Sequence, residues 1–139
     1  MMPTPQAIVA AARAWVGTPF QHQARVPGRG VDCAGVIVGV AAALGLPHQD
    51  ITGYGPEPYK GQLQKALEAQ CDRLAAPVPG CILLMRFATE PQHLAILTDT
   101  NTIVHAYAAV RKCVEHRLDD KWRRRIVAAY GYREAPWPS

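Results

Sequence analysis

The stretch RGVDCAGVIVGVAAALGLP, residues 29–47, decides the fold, because from Ala34 to Leu46 it carries no polar or charged side chain. Asp32 is a good helix N-cap, Gly45 supplies a left-handed stop, and Pro47 prevents continuation. These signals predict a helix from Cys33 to Leu44, with Cys33 in its first turn. A helix with no polar face belongs in the interior. The uncharged run from Cys33 to Leu46 is too short to cross a bilayer, so no membrane insertion is expected. The rest of the chain must therefore wrap around this helix.

Upstream, Thr4 can cap and Pro5 can open a helix predicted from Pro5 to Val16 and stopped by Gly17. Its apolar face holds Ile8, Val9, Ala12, Trp15 and Val16. Residues 17–32 form a Gly/Pro-rich loop between the two helices. Downstream, the turn-rich Thr52–Pro56 precedes an amphipathic helix from about Gly61 to Leu74, with Leu63, Leu67, Cys71 and Leu74 on its buried side. After Pro77, Pro79 and Gly80 the period changes from helical to alternating. Cys81–Phe87, His93–Thr98, Thr102–Tyr107, Val110–Arg117 and Ile126–Tyr132 read as strands. Helices first and strands afterwards predict an α+β domain, with N-terminal helices packed on an antiparallel sheet of about five strands. A length of 139 residues fits one domain over residues 1–139.

Composition narrows the function classes. The hydrophobic fraction of 49% excludes wholesale disorder. The net charge of +4 is concentrated late in the chain, with five basic residues between Arg117 and Arg125 against Asp119 and Asp120. Such a patch suits polyanions, but a solvated turn is its commoner meaning, and no nucleic-acid partner is expected. The cysteines at 33, 71, 81 and 113 contain no CxxC pair and are read as reduced. The amino-terminal stretch lacks the basic head of a signal peptide, so synthesis in the cytoplasm without an export signal is the expectation.

The chemistry centres on Cys33. A thiol in the first turn of a helix feels the positive end of the macrodipole and free backbone N–H groups, which favour its thiolate. A nucleophile of this kind needs a base. His93 and His105 stand on strands joined by the short turn Asp99-Thr100-Asn101. If Thr98 pairs with Thr102, His93 faces Tyr107 and His105 faces Ala95. Both imidazoles then share a sheet face one diagonal step apart, ~7–8 Å at the backbone, which two rings can bridge. A register slip of one residue would send them to opposite faces. In this arrangement His93 deprotonates Cys33 and His105 orients His93. A rival zinc set of Cys81, His93, His105 and Cys113 lacks ligand-pair spacing, and no metal or cofactor is expected. His22, His48 and His116 have no partner pattern and read as surface or loop residues. Cys71 and Cys81 read as small core residues and Trp15 as core. For Trp122 and Trp137, packing is favoured over binding sugar rings.

Four blocks together resemble the NlpC family of papain-like cell-wall cysteine peptidases. They are Gly17-Thr18-Pro19-Phe20, Val31-Asp32-Cys33-Ala34-Gly35, Gln92-His93-Leu94-Ala95-Ile96-Leu97 and Val104-His105-Ala106-Tyr107. Their order and separation match over residues 5–132. The stretch Gly17–Gln23 and the closing Lys121-Trp122-Arg123-Arg124-Arg125 are similar to a phage tail-associated branch. The resemblance implies a papain-like α+β fold and a Cys33–His93–His105 triad. It also implies hydrolysis of peptidoglycan stem peptides, commonly after D-γ-glutamate, by a protein carried on a phage tail to the wall, with phage tail proteins as further partners. Substrate-binding positions would fall on Phe20, Asp32 and Ala34. Two of these depart from the family pattern: Phe20 stands where Tyr is usual and Ala34 where Ser is common, so two polar contacts are lost. Those losses keep a second expectation open, a tail-tip or assembly component with the same fold and a weak or vestigial site. Lipid acyl chemistry by relatives of the fold is a third, by analogy alone.

Overall fold

The computed structural model describes residues 3–54 and 61–137. Gly55 and Pro56 of the expected turn-rich stretch lie outside them. Helix α1 spans Pro5–Arg13, capped by the Thr4 hydroxyl accepting from the Ala7 N–H at 3.1 Å, with Pro5 in the first turn. It ends earlier than its apolar period implies. Trp15, Val16 and Thr18 bond to carbonyls three residues back, so residues 14–17 form tight turns instead of a further helical turn. Trp15 is nevertheless buried, whereas Val16 is exposed.

A short antiparallel pair, β1 (Arg25–Val26) and β2 (Gly30–Val31), leads into α2 (Cys33–Leu44). Asp32 caps α2 by accepting from the Gly35 N–H at 2.8 Å, and Gly45 at φ +67° lets the Leu46 N–H return to the Ala41 carbonyl. Burial of this helix is complete only at its front. Cys33 through Ile37 are buried, while Ala42 and Ala43 emerge at the far end. The Tyr132 hydroxyl donates to the Ile37 carbonyl at 2.7 Å and ties the helix to the sheet.

The third expected helix is divided. Helix α3 covers Gln62–Gln70, and Cys71–Leu74 turn extended as β3, pairing Cys71 with Tyr132 and Leu74 with Ala129. The spacing of Leu67, Cys71 and Leu74 fits a helical face, but the tertiary hydrogen bonds of a sheet edge override it. Then follow β4 (Ile82–Arg86), β5 (Pro91–Leu97), β6 (Thr102–Tyr107), β7 (Lys112–Arg117), α4 (Asp120–Arg123) and β8 (Ile126–Tyr132). The main sheet therefore has six strands instead of five, ordered β3-β8-β4-β5-β6-β7, with antiparallel pairings throughout. The α+β class is as expected from sequence.

Strand alternation gives the sheet two buried faces. On one, Leu84, Leu94, Ile96, Val104 and Tyr130 pack against the helices, including Ile8, Val36 and Leu67. On the other, Leu83, Met85, Ala95, Leu97, Ile103 and Leu118 pack around Trp122. Among the described residues no helix is long and apolar enough to cross a membrane.

Candidate active site

Three parts of the fold converge at the front of α2. The first is the helix terminus, where Cys33 is 8% exposed. The second is the loop before it. Phe20 donates its N–H to the Arg111 carbonyl at 2.8 Å, and Gln21 donates to the Val31 carbonyl at 3.0 Å, so this segment is laid between β7 and β2. The third is the pair of interior strands, β5 and β6, bearing His93 and His105. Cys33, His93, Asp32 and Phe20 line a common cavity of about 70 Å³, together with His22, Tyr54, Gln92 and Tyr107. A larger open groove of about 480 Å³ runs beside α1, but its walls hold neither a cysteine nor a histidine.

The β5–β6 register is the one that keeps both histidines on one face: Ile96 opposes Val104 and Leu97 opposes Ile103. His93 Nε2 lies 2.6 Å from His105 Nδ1. The contact continues, because His105 Nε2 is 2.7 Å from His116 Nε2, and His116 Nδ1 is 2.8 Å from the Arg117 carbonyl. His116 is therefore no isolated surface residue. In the β6–β7 pairing His105 faces Val114, so His116 is its diagonal neighbour on the same face. Trp122, for which packing is the favoured reading, is buried beside all three rings, with centroids 6.4 Å, 5.0 Å and 5.3 Å from His93, His105 and His116. Tyr107 stacks on His105 at 5.3 Å and lies 5.3 Å from Trp122 as well.

The charge state of Cys33 departs from expectation. Burial pushes its thiol up to about 12, and the adjacent Asp32 carboxylate adds to that. The Leu94 and Ala34 backbone groups and the Arg25 charge act in the opposite direction and are outweighed. Burial likewise lowers His93 to about 3, helped by the Arg125 charge and by His116 nearby. His105 falls to about 2, again through burial first and then through its histidine neighbours and Arg125. At rest both thiol and imidazole are neutral, and the helix terminus alone does not make a thiolate.

Asp32 lines the cavity but is only 2% exposed, and its oxygens are saturated. One accepts from the Gly35 N–H and the Arg25 guanidinium at 2.7 Å; the other accepts from the Gln23 N–H and the Tyr54 hydroxyl. Tyr54 thus brings into the cavity, from another loop, a hydroxyl of the kind Phe20 lacks. Ala34 does not reach the cavity; its side chain is fully buried in the core on the helix side. His22 sits on the cavity wall with its ring edge-on to Tyr54 at 5.3 Å. It lies within the Gly17–Gln23 block, which was the available signal for it.

The alternative zinc set does not assemble. Cys81 belongs to the core on the Trp122 side of the sheet and Cys113 to the core on the helix side. All four cysteines are free and buried.

Comparison with solved structures decides the fold. An NlpC/P60 family protein from Bacillus cereus superposes with a TM-score of 0.74 over 95% of this chain at 13% identity. The NlpC/P60 domain of the peptidoglycan hydrolase SagA gives 0.66 over 93% of this chain and 99% of its own, at 21% identity. The peptidoglycan hydrolase RipB of Mycobacterium tuberculosis gives 0.61 over 96% of this chain and 65% of its own, at 14% identity. The chain has the NlpC/P60 papain-like fold. It spans 41% of the Bacillus protein and 41% of a Staphylococcus aureus NlpC/P60 lipoprotein-like protein, so the NlpC/P60 fold here is one part of what those chains contain. No family model and no curated protein matches the sequence.

Proposed function

We propose that this chain is a cysteine peptidase that hydrolyses peptide bonds in the stem peptides of bacterial peptidoglycan. The observation that carries the reading is His93, hydrogen-bonded to His105, on the wall of the cavity that Cys33 lines from the front of a buried helix. The kinship of fold with peptidoglycan hydrolases supports the substrate class. A D-γ-glutamyl–diamino acid bond is the proposed cleavage point, and carriage on a phage tail the proposed route to the wall.

In this reading the Cys33 S–H proton passes to Nδ1 of His93, the ring nitrogen not engaged by His105, as sulfur bonds to the scissile carbonyl. The Cys33 backbone N–H, in the first helical turn and without an intrahelical acceptor, stabilises the resulting oxyanion. Collapse breaks the C–N bond, and His93 returns the proton to the leaving amine. Water then hydrolyses the thioester, again with His93 as base. Because both partners start neutral, the proton transfer accompanies attack and no standing thiolate is needed.

The test is mass spectrometry of purified peptidoglycan after digestion, with Cys33→Ala alongside. New stem-peptide termini with the native protein, and none with Cys33→Ala, are expected. Equal cleavage by both would overturn the assignment. A second reading, a tail-tip component with a vestigial site, draws on the high Cys33 pKa and the small cavity. It requires that the native protein release no fragments and form no thioester with a wall peptide.

A further inference from the structure

His93 poses a problem for any base role. It is buried, and burial together with Arg125 and His116 disfavours a positive charge on it. Its neighbour His105 is equally buried and equally resistant to charge. The row of rings does not end there, however. It runs outward to His116, which is only partly buried, on the edge strand β7.

Proton positions along this row follow from its outer end. A carbonyl only accepts, so the 2.8 Å contact to the Arg117 carbonyl places a proton on His116 Nδ1. In neutral His116, Nε2 is then bare and accepts from His105 Nε2–H. This leaves His105 Nδ1 bare to accept from His93 Nε2–H. His93 in turn is left with a bare Nδ1, the form a base requires. If His116 carries a second proton on Nε2, each bond reverses, and His93 holds its proton on Nδ1 instead.

We propose that His116 is a positioning residue that fixes the tautomers of His105 and His93, and that the three rings carry positive charge from the cleft to the protein surface. This rests on the peptidase reading for its purpose, though its geometry does not. The transfer balances. His93 Nδ1 gains the Cys33 proton, the His93 Nε2 proton moves to His105 Nδ1, and the His105 Nε2 proton moves to His116 Nε2. No ring keeps more than its share except His116, which ends as the cation in contact with solvent. His93 is neutral again with its proton on Nδ1, ready for the leaving amine, and the return path restores the starting state.

Aromatic rings and one cation flank the outer end. From β6, the His105 ring contacts His116; from α4, the Trp122 ring lies 5.3 Å away. Arg125, the cation acting on His93 and His105, stacks over Trp122 at 4.4 Å. Glu115, next along β7, bonds to Arg13 and Thr98 and is engaged elsewhere. Asp119 bonds to the Trp122 N–H.

The test reads tautomers directly, by long-range proton–nitrogen NMR on protein labelled with ¹⁵N-histidine and free of substrate. At pH 8 His93 and His105 are expected as Nε2–H and His116 as Nδ1–H. On acidification, His93 and His105 should switch to Nδ1–H together, with the midpoint of His116 protonation. In His116→Gln the amide oxygen accepts from His105, so the pH 8 tautomers persist while the acid-induced switch disappears. In His116→Ala the tautomers should become mixed. Tautomers that are different at pH 8, or that ignore His116 protonation in the native protein, overturn the proposal. With wall substrate, His116→Ala should lower kcat by about 10- to 100-fold with little change in KM, as for loss of a partner that orients a histidine. His116→Gln, which keeps the tautomers but cannot take up the proton, should recover only part of it at pH 8. Because the NMR result needs no turnover, failure of the relay and failure of the peptidase reading are distinguishable.

Discussion

Asp32 serves both the helix and the cleft, and the two demands conflict at Cys33. Its carboxylate caps α2 and anchors Arg25 and Tyr54, yet its charge raises the pKa of the thiol next to it. Asn is as good an N-cap as Asp, so Asp32→Asn isolates the charge. The variant should be less stable by roughly 2–4 kcal/mol in urea unfolding, because Arg25 loses a buried partner but keeps Asp50. In native conditions Cys33 should alkylate faster than in the parent, while Cys71, Cys81 and Cys113 stay protected. Labelling of all four alike would mean that unfolding, not charge, is responsible. The N-cap was legible from the residues 32–35. The resting charge of Cys33 was not, because it depends on how deeply distant segments bury the helix front, which no local pattern encodes.

At the scale of elements, the helix pair is held by a close approach. A Cβ placed on Gly39 of α2 would fall 2.2 Å from the Trp15 ring that follows α1. A bare Gly→Ala change inside a helix gains about 1 kcal/mol in propensity. Here the rigid indole must move, so Gly39→Ala should instead lose about 1–3 kcal/mol, as overpacking does. The shift in urea midpoint, with Gly45→Ala as a control for left-handed strain, measures it. Turn length made the β5–β6 register readable, since Asp99–Asn101 admits the pairing that aligns His93 with His105. The β6–β7 register was not readable. Its connection turns through Arg111 at φ +64°, a conformation ordinarily left to glycine, and a shorter turn was the natural expectation. That one position hid His116 from its partners.

For the molecule as a whole, buried titratable groups set the pH range of stability. His93 and His105 are held well below the ordinary 6.5, at about 3 and 2, so the unfolded chain binds protons first on acidification. Their contribution is complete above pH 6.5 and is lost as pH falls through that window. Cys33, Cys71 and Cys113 are raised from 9.0 to about 12, and Cys81 to about 11. Here the folded state holds the proton longer, so stability is complete below pH 9 and declines as pH rises beyond it. The urea midpoint should therefore form a plateau between about pH 6.5 and 9. The acid shoulder should begin before ordinary carboxylates titrate. A midpoint flat down to pH 4.5 would contradict the burial of the histidine pair.

The wall of the cleft that bears Phe20 is tied to β7 through backbone, while the Thr18 hydroxyl holds the Gly28 N–H behind it. Gly17 and Phe20 donate to the Cys113 and Arg111 carbonyls, and the Cys113 N–H answers to Thr18. Amide-to-amide fastening is blind to side-chain identity, so Phe20, held through its own N–H, tolerates exchange without moving the rim. Under the proposed function, substrate preference is free to drift at Phe20 by point substitution, while the sulfur and the imidazoles behind it keep their places.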